Sequence, residues 1–175
     1  HALLNIARVE IRNKQSKEAE DHLQKLITTT QNSRFKAEAY QLLAFIYVHA
    51  GGDIRSVYDK TLEALTLSLQ YDNTVPQVWV SLGDLKYRNL YNIYRDKELF
   101  RQTVADIWDH INKALTINKN QASAYYLGSR LASIEGDMKK KEEYKQKALA
   151  AIPLDITLGE KEKEALKTMI EMICI

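Results

Sequence analysis

The chain has 175 residues, of which 45% are hydrophobic and 27% charged, and it contains only 6 glycines and 2 prolines. So few turn-forming residues disfavour a strand-rich domain and favour long helices. The 25 basic and 23 acidic side chains nearly balance, which disfavours nucleic acid as a partner, and no apolar run approaches the roughly 20 residues of a membrane-spanning helix.

The first residues, "HALLNIARVE", lack an initiator methionine and a signal-peptide pattern, and they begin within a predicted helix. We therefore expect the chain to be a fragment or a processed product. Its single cysteine, Cys174, excludes an internal disulfide and a thiolate metal cluster, and it fits a reducing compartment such as the cytoplasm. We expect this side chain to pack in the last helix.

The same apolar pattern occurs four times along the chain, in "LLNIARVEI", "YQLLAFIYV", "WVSLGDLKY" and "AYYLGSRLA". In the first three segments a large residue is followed, after two positions, by a large–small pair, and in the fourth Ala124 holds the first of these positions. These pairs are Ile6–Ala7, Leu43–Ala44, Leu82–Gly83 and Leu127–Gly128. A second amphipathic stretch with apolar residues three and four positions apart follows each one, so the sequence predicts four helix pairs.

Glycine in the middle of a helix reduces helix stability by about 1 kcal/mol relative to alanine. The presence of Gly83 and Gly128 within predicted helices therefore requires an explanation. We predict that each lies where two antiparallel helices approach most closely and where a larger side chain would force them apart. Ala7 and Ala44 are expected to occupy the same position in the first two pairs.

These segments resemble the tetratricopeptide repeat (TPR), whose pattern is W-x₂-L-G-x₂-Y, then A-x₃-F, then P. The residues that match best are Trp79, Leu82, Gly83, Tyr40, Leu43, Ala44, Tyr47, Ala19, Ala148, Leu149 and Pro153. The resemblance implies an all-α fold, a right-handed α-α superhelix of antiparallel helix pairs in a single domain over residues 1–175. We expect repeats at about 2–31, 37–73, 76–119 and 121–153, followed by a capping helix at 158–174.

The repeats are longer than the family standard, because successive small residues are 37, 39 and 45 positions apart. The largest excess, "NLYNIYRDKELFRQ" (89–102), predicts that both helices of the third pair are extended. Asp96 is predicted to cap the second of them. A stripe at helical spacing should then face the core: Phe100, Val104, Ile107, Trp108, Ile111 and Leu115.

The C-terminal segment is predicted to cover the open apolar face of the last repeat, or to begin a further repeat. Thr157 and Glu160 have the spacing of a capping box at its start. The face expected to pack comprises Leu166, Met169, Ile170 and Ile173.

No pattern indicates catalysis, a cofactor or a metal, since the sequence has no glycine-rich phosphate loop and no nucleophile elbow. The histidines, His1, His22, His49 and His110, have no close partner histidine or cysteine. Asp106 and His110 lie four positions apart and could share a metal or a proton. Such pairs are more often solvated contacts on a helix face.

By resemblance to the family, a protein or peptide partner binds in the concave groove formed by the first helix of each pair. The repeat register places ten residues there: Arg8, Arg12, Gln41, Phe45, His49, Asp84, Tyr87, Arg88, Tyr125 and Ser129. Arginine binds carboxylates and tyrosine offers area with a polar tip, so this surface suits peptide recognition. A solvated inner face without a partner is the alternative.

One specialised member of the family binds acidic chaperone tails through a clamp of Lys, Asn and Arg. At the first two clamp positions this sequence has Leu4 and Arg8, and at the next it has Gln41 or Phe45. The clamp pattern is therefore missing, and we do not expect a receptor for chaperone tails.

Three tyrosines, Tyr87, Tyr91 and Tyr94, form a stripe on the extended third pair, flanked by Arg88 and Arg95. They could pack against the second helix of the same pair. Alternatively, Tyr91, Tyr94 and Arg95 form a surface for a partner or for self-association into a homo-oligomer. A stacking platform for single-stranded nucleic acid would use similar residues, but the charge balance disfavours it.

The sequence thus predicts a non-catalytic scaffold for protein–protein interaction, without a cofactor. Two alternatives remain. The chain could be a self-assembly module that uses the extended third pair, or it could be the helical-repeat arm of a larger enzyme or RNA-binding protein.

Overall fold

The structure is a computed structural model that describes residues 2–49 and 53–172. These residues form nine α-helices and one short 3₁₀ helix, and no strand occurs among them. The helices are α1 (Ala2–Arg12), α2 (Ser16–Thr29), α3 (Ser33–His49), α4 (Ile54–Tyr71), α5 (Pro76–Ile93), α6 (Lys97–Ile117), α7 (Ala122–Glu135), α8 (Met138–Ala151), the 3₁₀ helix Ile152–Leu154 and α9 (Glu160–Met172). His1, Ile173 and Cys174 lie outside the described residues, so the packing predicted for Cys174 stays a prediction.

The chain divides into two compact units, residues 1–78 and 79–175. The first contains α1 to α4, the second contains α6 to α9, and α5 crosses the boundary. The helices α1 to α8 occur in the order that the sequence predicted, as four successive pairs. The limits of the four repeats, and their union in a single domain, stay predictions.

The first unit has a core of leucine, isoleucine and alanine side chains contributed by all four of its helices. Ala7 of α1 and Ala19 of α2 have no exposed surface, and Ala44 of α3 is buried. The polar residue Ser68 of α4 is also buried, and its hydroxyl donates a hydrogen bond of 2.8 Å to the Ala37 carbonyl. That bond satisfies a hydroxyl that would otherwise be costly to bury.

The extended third pair has the length that the sequence predicted: α5 has 18 residues and α6 has 21. Asp96 caps α6, since its side chain accepts a hydrogen bond of 3.0 Å from the Leu99 amide. The predicted stripe on α6 also faces the core of the second unit. Val104, Ile107 and Ile111 are buried, and Phe100, Trp108 and Leu115 pack against them.

Both mid-helix glycines are buried at close contacts. A Cβ added to Gly128 of α7 would lie 2.3 Å from the ring of Tyr144 on α8, which is the partner helix in its own pair. A Cβ on Gly83 of α5 would lie 3.6 Å from His110 on α6, but only 2.9 Å from Leu127 on α7. The close approach of paired helices is therefore confirmed at Gly128. At Gly83 the partner helix is at an ordinary contact distance, and the following pair restricts the space more.

The predicted capping box at Thr157 and Glu160 is wrong. The Thr157 hydroxyl donates to Asp155 at 2.6 Å, and α9 begins two residues later than predicted, where Glu162 accepts a hydrogen bond of 2.7 Å from the Gly159 amide. Asp155 itself is fully buried and also accepts from the Ala122 amide at 2.9 Å. It thereby ties this turn to the N-terminus of α7, where the helix dipole favours a carboxylate.

The last helix packs against the final pair, and whether it is a cap or the start of a further repeat stays a prediction. Leu166 and Ile170 of α9 are buried in a cluster with Ala148, Ala151 and Ile152. Met169, predicted to share that face, is 40% exposed. It therefore lies at the edge of the contact.

Candidate functional site

In the first unit, Arg8 and Gln41 of the predicted surface line an open pocket of about 250 Å³ between α1, α3 and α4. The other lining residues are Arg34, Ala37, Glu38, Ser68, Asp72 and Val75. Arg8 is ion-paired with Glu38, and its Nη1 lies 3.4 Å from the Asn5 side chain. Two arginines and two carboxylates thus share the pocket, so its charge is balanced.

Asp72 holds its negative charge in this pocket. Hydrogen bonds from the Thr74 hydroxyl and amide, at 2.6 and 2.9 Å, lower the pKa of its carboxyl group, and the nearby Arg34 adds a smaller effect in the same direction. A ligand here would meet fixed charges of both signs.

The remaining predicted residues of the first unit lie on α1 and α3. Phe45 is 47% exposed and its ring stacks on that of His49, with centroids 4.0 Å apart. The Nδ1–H of His49 donates to the Phe45 carbonyl at 2.8 Å, which fixes the ring. Arg12 is exposed.

In the second unit, the predicted residues Asp84, Tyr87 and Arg88 of α5 meet Tyr126 and Arg130 of α7. These five residues are called the arginine cluster below. Arg88 Nε lies 2.7 Å from Asp84 Oδ2, and Arg130 Nη1 lies 2.9 Å from Asp84 Oδ1. One carboxylate therefore joins two guanidinium groups, and these three side chains sum to one positive charge.

Arg130 is held between two aromatic rings as well as by Asp84. Its guanidinium carbon lies 4.1 Å from the ring centroid of Tyr87 and 5.4 Å from that of Tyr126, both within the range of cation–π attraction. Its side chain is 26% exposed, against 51% for Arg88. The cluster thus places one mostly buried and one half-exposed cation on the same surface.

Sequence reasoning missed Tyr126 and Arg130, because the repeat register projects other positions of α7 toward the groove. A usable signal was present, since an aromatic residue and an arginine four positions apart share one helix face. Asp84 and Arg88 on α5 have the same spacing.

The structure places Ser129 and Tyr125, which the register projected into the groove, against α8. Ser129 is only 1% exposed, and its hydroxyl donates to the Lys141 carbonyl at 3.0 Å. Tyr125 is half-buried and packs edge-on against Tyr144, with centroids 5.9 Å apart. Both residues pack α7 on α8, because the close approach at Gly128 turns this face of α7 inward.

The tyrosine stripe divides into two parts. Tyr87 is partly buried and packs against the core of the second unit. For Tyr91 and Tyr94 the packing interpretation is wrong, because they are 77% and 55% exposed. Their rings stack with centroids 6.0 Å apart, and Arg95 Nε donates to the Tyr94 hydroxyl at 3.0 Å.

The pair Asp106–His110 does not form a site. Asp106 binds Lys86 Nζ at 2.7 Å, and His110 is buried with neither ring nitrogen hydrogen-bonded within the described part of the chain. Burial, with a smaller contribution from the charge of the nearby Lys86, lowers the pKa of His110 to about 4. Among residues 2–49 and 53–172, no three His, Cys, Asp or Glu side chains are grouped so that they could hold a metal ion.

None of the helices described by the structure is both long and apolar enough to cross a membrane.

Comparison with solved structures finds helical-repeat proteins at low sequence identity. TTC0263, a thermophilic TPR protein in Thermus thermophilus, gives a TM-score of 0.64 at 15% identity, covering 98% of this chain and 79% of its own. The MamA protein gives 0.64 at 16% identity, covering 98% and 85%. Human IFIT1, solved as a dimer with m7Gppp-AAAA, gives 0.66 at 19% identity, covering 84% and 32%.

This chain therefore spans about a third of the human IFIT1 chain, 32% of its length. Neither a family model nor a curated protein matches the sequence. At these identities the likeness to solved structures shows the fold, which is all-α and TPR-like, as the sequence predicted.

Proposed function

We propose that this chain, with its TPR-like fold, is an interaction module that binds a peptide or a helix of a partner protein. The observation that supports this best is the arginine cluster of the second unit. Arginine and tyrosine are, with tryptophan, the residue types enriched among binding hot spots. Here two of each lie together on α5 and α7 around one carboxylate.

The arrangement of Arg130 also suits binding energetically. Ordering a flexible side chain on association costs about 0.5–1.5 kcal/mol. Arg130 is already ordered in the free chain by Asp84 and two tyrosine rings, so most of that cost is met on folding. Arg8, Arg12, Gln41, Phe45 and His49 of the first unit are the second surface that we propose for partner contacts.

The test is selection of a displayed library of random peptides on the intact chain. The peptides recovered are then synthesised, and their affinities for the wild-type chain and for Arg130→Ala are measured by fluorescence anisotropy. We expect Arg130→Ala to weaken binding at least about tenfold, which corresponds to 1.4 kcal/mol.

Arg101→Ala is the matched control, because it removes an exposed arginine from α6 of the same unit. Its affinity should stay within about twofold of wild type. A library that yields no binding peptide, or peptides that bind Arg130→Ala as well as wild type, would contradict the proposal.

A second function, self-association, is favoured by the exposed pair Tyr91 and Tyr94. A stable interface buries about 800 Å² on each partner, which two tyrosines with Arg95 do not supply by themselves. We therefore rank homo-oligomer formation second.

Partial coverage of a longer protein bears on the third alternative. Because this chain spans 32% of the IFIT1 chain, the proposal that it is one arm of a larger enzyme or RNA-binding protein stands beside the first two. The near balance of 25 basic and 23 acidic residues does not favour RNA binding by this segment alone.

A further inference from the structure

We propose that the arginine cluster receives a carboxylate of an acidic partner peptide, and that Asp84 is an internal competitor for the same two arginines. This inference rests on the proposed function and adds to it the chemistry of the partner. Asp84, a residue of the chain itself, already occupies a site for an anionic group.

Asp84 engages one nitrogen of each arginine: Nε of Arg88 at 2.7 Å and Nη1 of Arg130 at 2.9 Å. A guanidinium has five N–H donors in a planar fork that matches a carboxylate in two-point contact. The single contacts to Asp84 therefore use a small part of the donor capacity of the two side chains. A second carboxylate can bind beside Asp84 or replace it.

Charge favours an acidic ligand over a neutral or basic one. The three ionised groups of the cluster sum to one positive charge, and Lys86 on the same helix is neutralised by Asp106 at 2.7 Å. One unmatched positive charge suits a carboxylate on a peptide. Nucleic acid needs a series of cations along its backbone, and this cluster offers two arginines that already share a carboxylate.

Displacement of Asp84 from Arg88 is cheap because that pair is partly solvated. The side chain of Asp84 is 25% exposed and that of Arg88 is 51% exposed, so water and salt screen the pair and it contributes little to stability. Asp84 and Arg130 are 25% and 26% exposed, so their pair is screened less. The Tyr87 and Tyr126 rings give Arg130 two further contacts that do not involve Asp84. We therefore expect Asp84 to reduce the affinity for an acidic ligand, and the two rings to keep Arg130 ordered when Asp84 is displaced.

The experiment uses the intact chain and two fluorescein-labelled peptides, one of alternating Glu and Ser and one of alternating Gln and Ser. Anisotropy titrations compare wild type with Asp84→Asn. We expect the Glu peptide to bind wild type weakly and to bind Asp84→Asn about threefold to tenfold more tightly, because one competing negative charge is gone. Binding should weaken as salt is added, and the Gln peptide should not bind.

Matched variants distinguish an effect of the arginine cluster from a general effect of the net charge of the chain. Glu164→Gln removes one negative charge from an exposed position on α9 and should leave the affinity for the Glu peptide within about twofold. Arg88→Gln and Arg130→Gln should weaken binding, whereas Arg101→Gln should not. Asp84→Ser repeats the test with a side chain that cannot bridge both arginines, and thermal melts establish that each variant is folded.

Three results would overturn the inference: no binding of the Glu peptide by wild type or by Asp84→Asn; equal or weaker binding by the folded Asp84 variants; or tighter binding of single-stranded oligoadenylate than of the Glu peptide. The proposed function has a separate outcome. If the library yields neutral or basic peptides whose binding still requires Arg130, the module binds peptides and only the acidic specificity fails.

Discussion

The two units fill the same small position of the repeat with different residues. In the first unit it is alanine, at Ala7 and Ala44, and both are buried. In the second unit it is glycine, because Leu127 and the ring of Tyr144 already occupy the space that a Cβ would need at Gly83 and Gly128. The small position therefore accommodates a methyl group in the first unit, whereas in the second unit a Cβ requires a neighbouring side chain to shift.

The two units also differ in the charge of their candidate binding surfaces. The pocket of the first unit has two arginines and two carboxylates in balance. The arginine cluster of the second unit has two arginines on one carboxylate, with tyrosine rings beside them. One fold thus presents two surfaces of different chemistry, and variants can test each contrast.

The largest effect is expected for Gly83→Leu. A leucine side chain would enter space occupied by Leu127, Ile107 and His110, and overpacking of this kind costs about 3 kcal/mol. Urea denaturation should show the midpoint falling accordingly. A midpoint equal to that of wild type would mean that the close packing of α5 is wrong.

Lowering the pH should destabilise the folded second unit, because His110 binds a proton more readily in the unfolded state. Burial keeps this side chain neutral in the folded state, with a pKa of about 4, against 6.5 when unfolded. The unfolded state therefore binds more protons between these values, and the stability present above pH 6.5 is lost as the pH falls to about 4. The contribution is about 3 kcal/mol.

His110→Leu isolates this contribution from the other titrating groups. The difference in unfolding free energy between wild type and variant should change across that pH range and be constant above it. A difference that does not depend on pH would show that His110 is solvated in the folded chain.

The contrast between the small positions can be tested with reciprocal changes. Gly128→Ala should cost about 2 kcal/mol, because the Tyr144 ring is held by Trp108 and Tyr125 and cannot move away freely. Ala44→Gly in the first unit should cost only about 1 kcal/mol, the difference in helix propensity. If Gly128→Ala and Ala44→Gly lose the same unfolding free energy in thermal or urea denaturation, the proposed difference between the two units is wrong.

The smallest effect on stability is expected for Tyr91→Glu. The side chain is 77% exposed, so the free energy of unfolding should change by less than about 0.5 kcal/mol. The same variant tests the proposed assembly surface by light scattering with size exclusion over a wide concentration range. A concentration-dependent mass that Tyr91→Glu abolishes would support self-association, and a constant monomer mass in both proteins would exclude it.

Local features of this chain were readable from sequence because their causes lie within a few residues. The cap at Asp96 depends on an aspartate next to a helix start, and the stripe from Phe100 to Leu115 depends on helical periodicity. The start of α9 was misread because two acidic residues, Glu160 and Glu162, could each have closed the capping box. In the structure Asp155 binds the Thr157 hydroxyl, so the helix starts later and Glu162 is the residue that accepts the hydrogen bond from the Gly159 amide.

The sequence by itself determined the helix pairs, the small positions where they meet and the resemblance to TPR proteins, because periodicity and residue size act along the chain. Only the tertiary structure decided that Ser129 is buried, that Tyr91 and Tyr94 are exposed, and that Arg130 meets Asp84 across 46 positions of sequence. Contacts of that kind depend on the rotation of one helix relative to another. A shift of one residue turns a helix by about 100°, which is enough to move a side chain from the surface to the core.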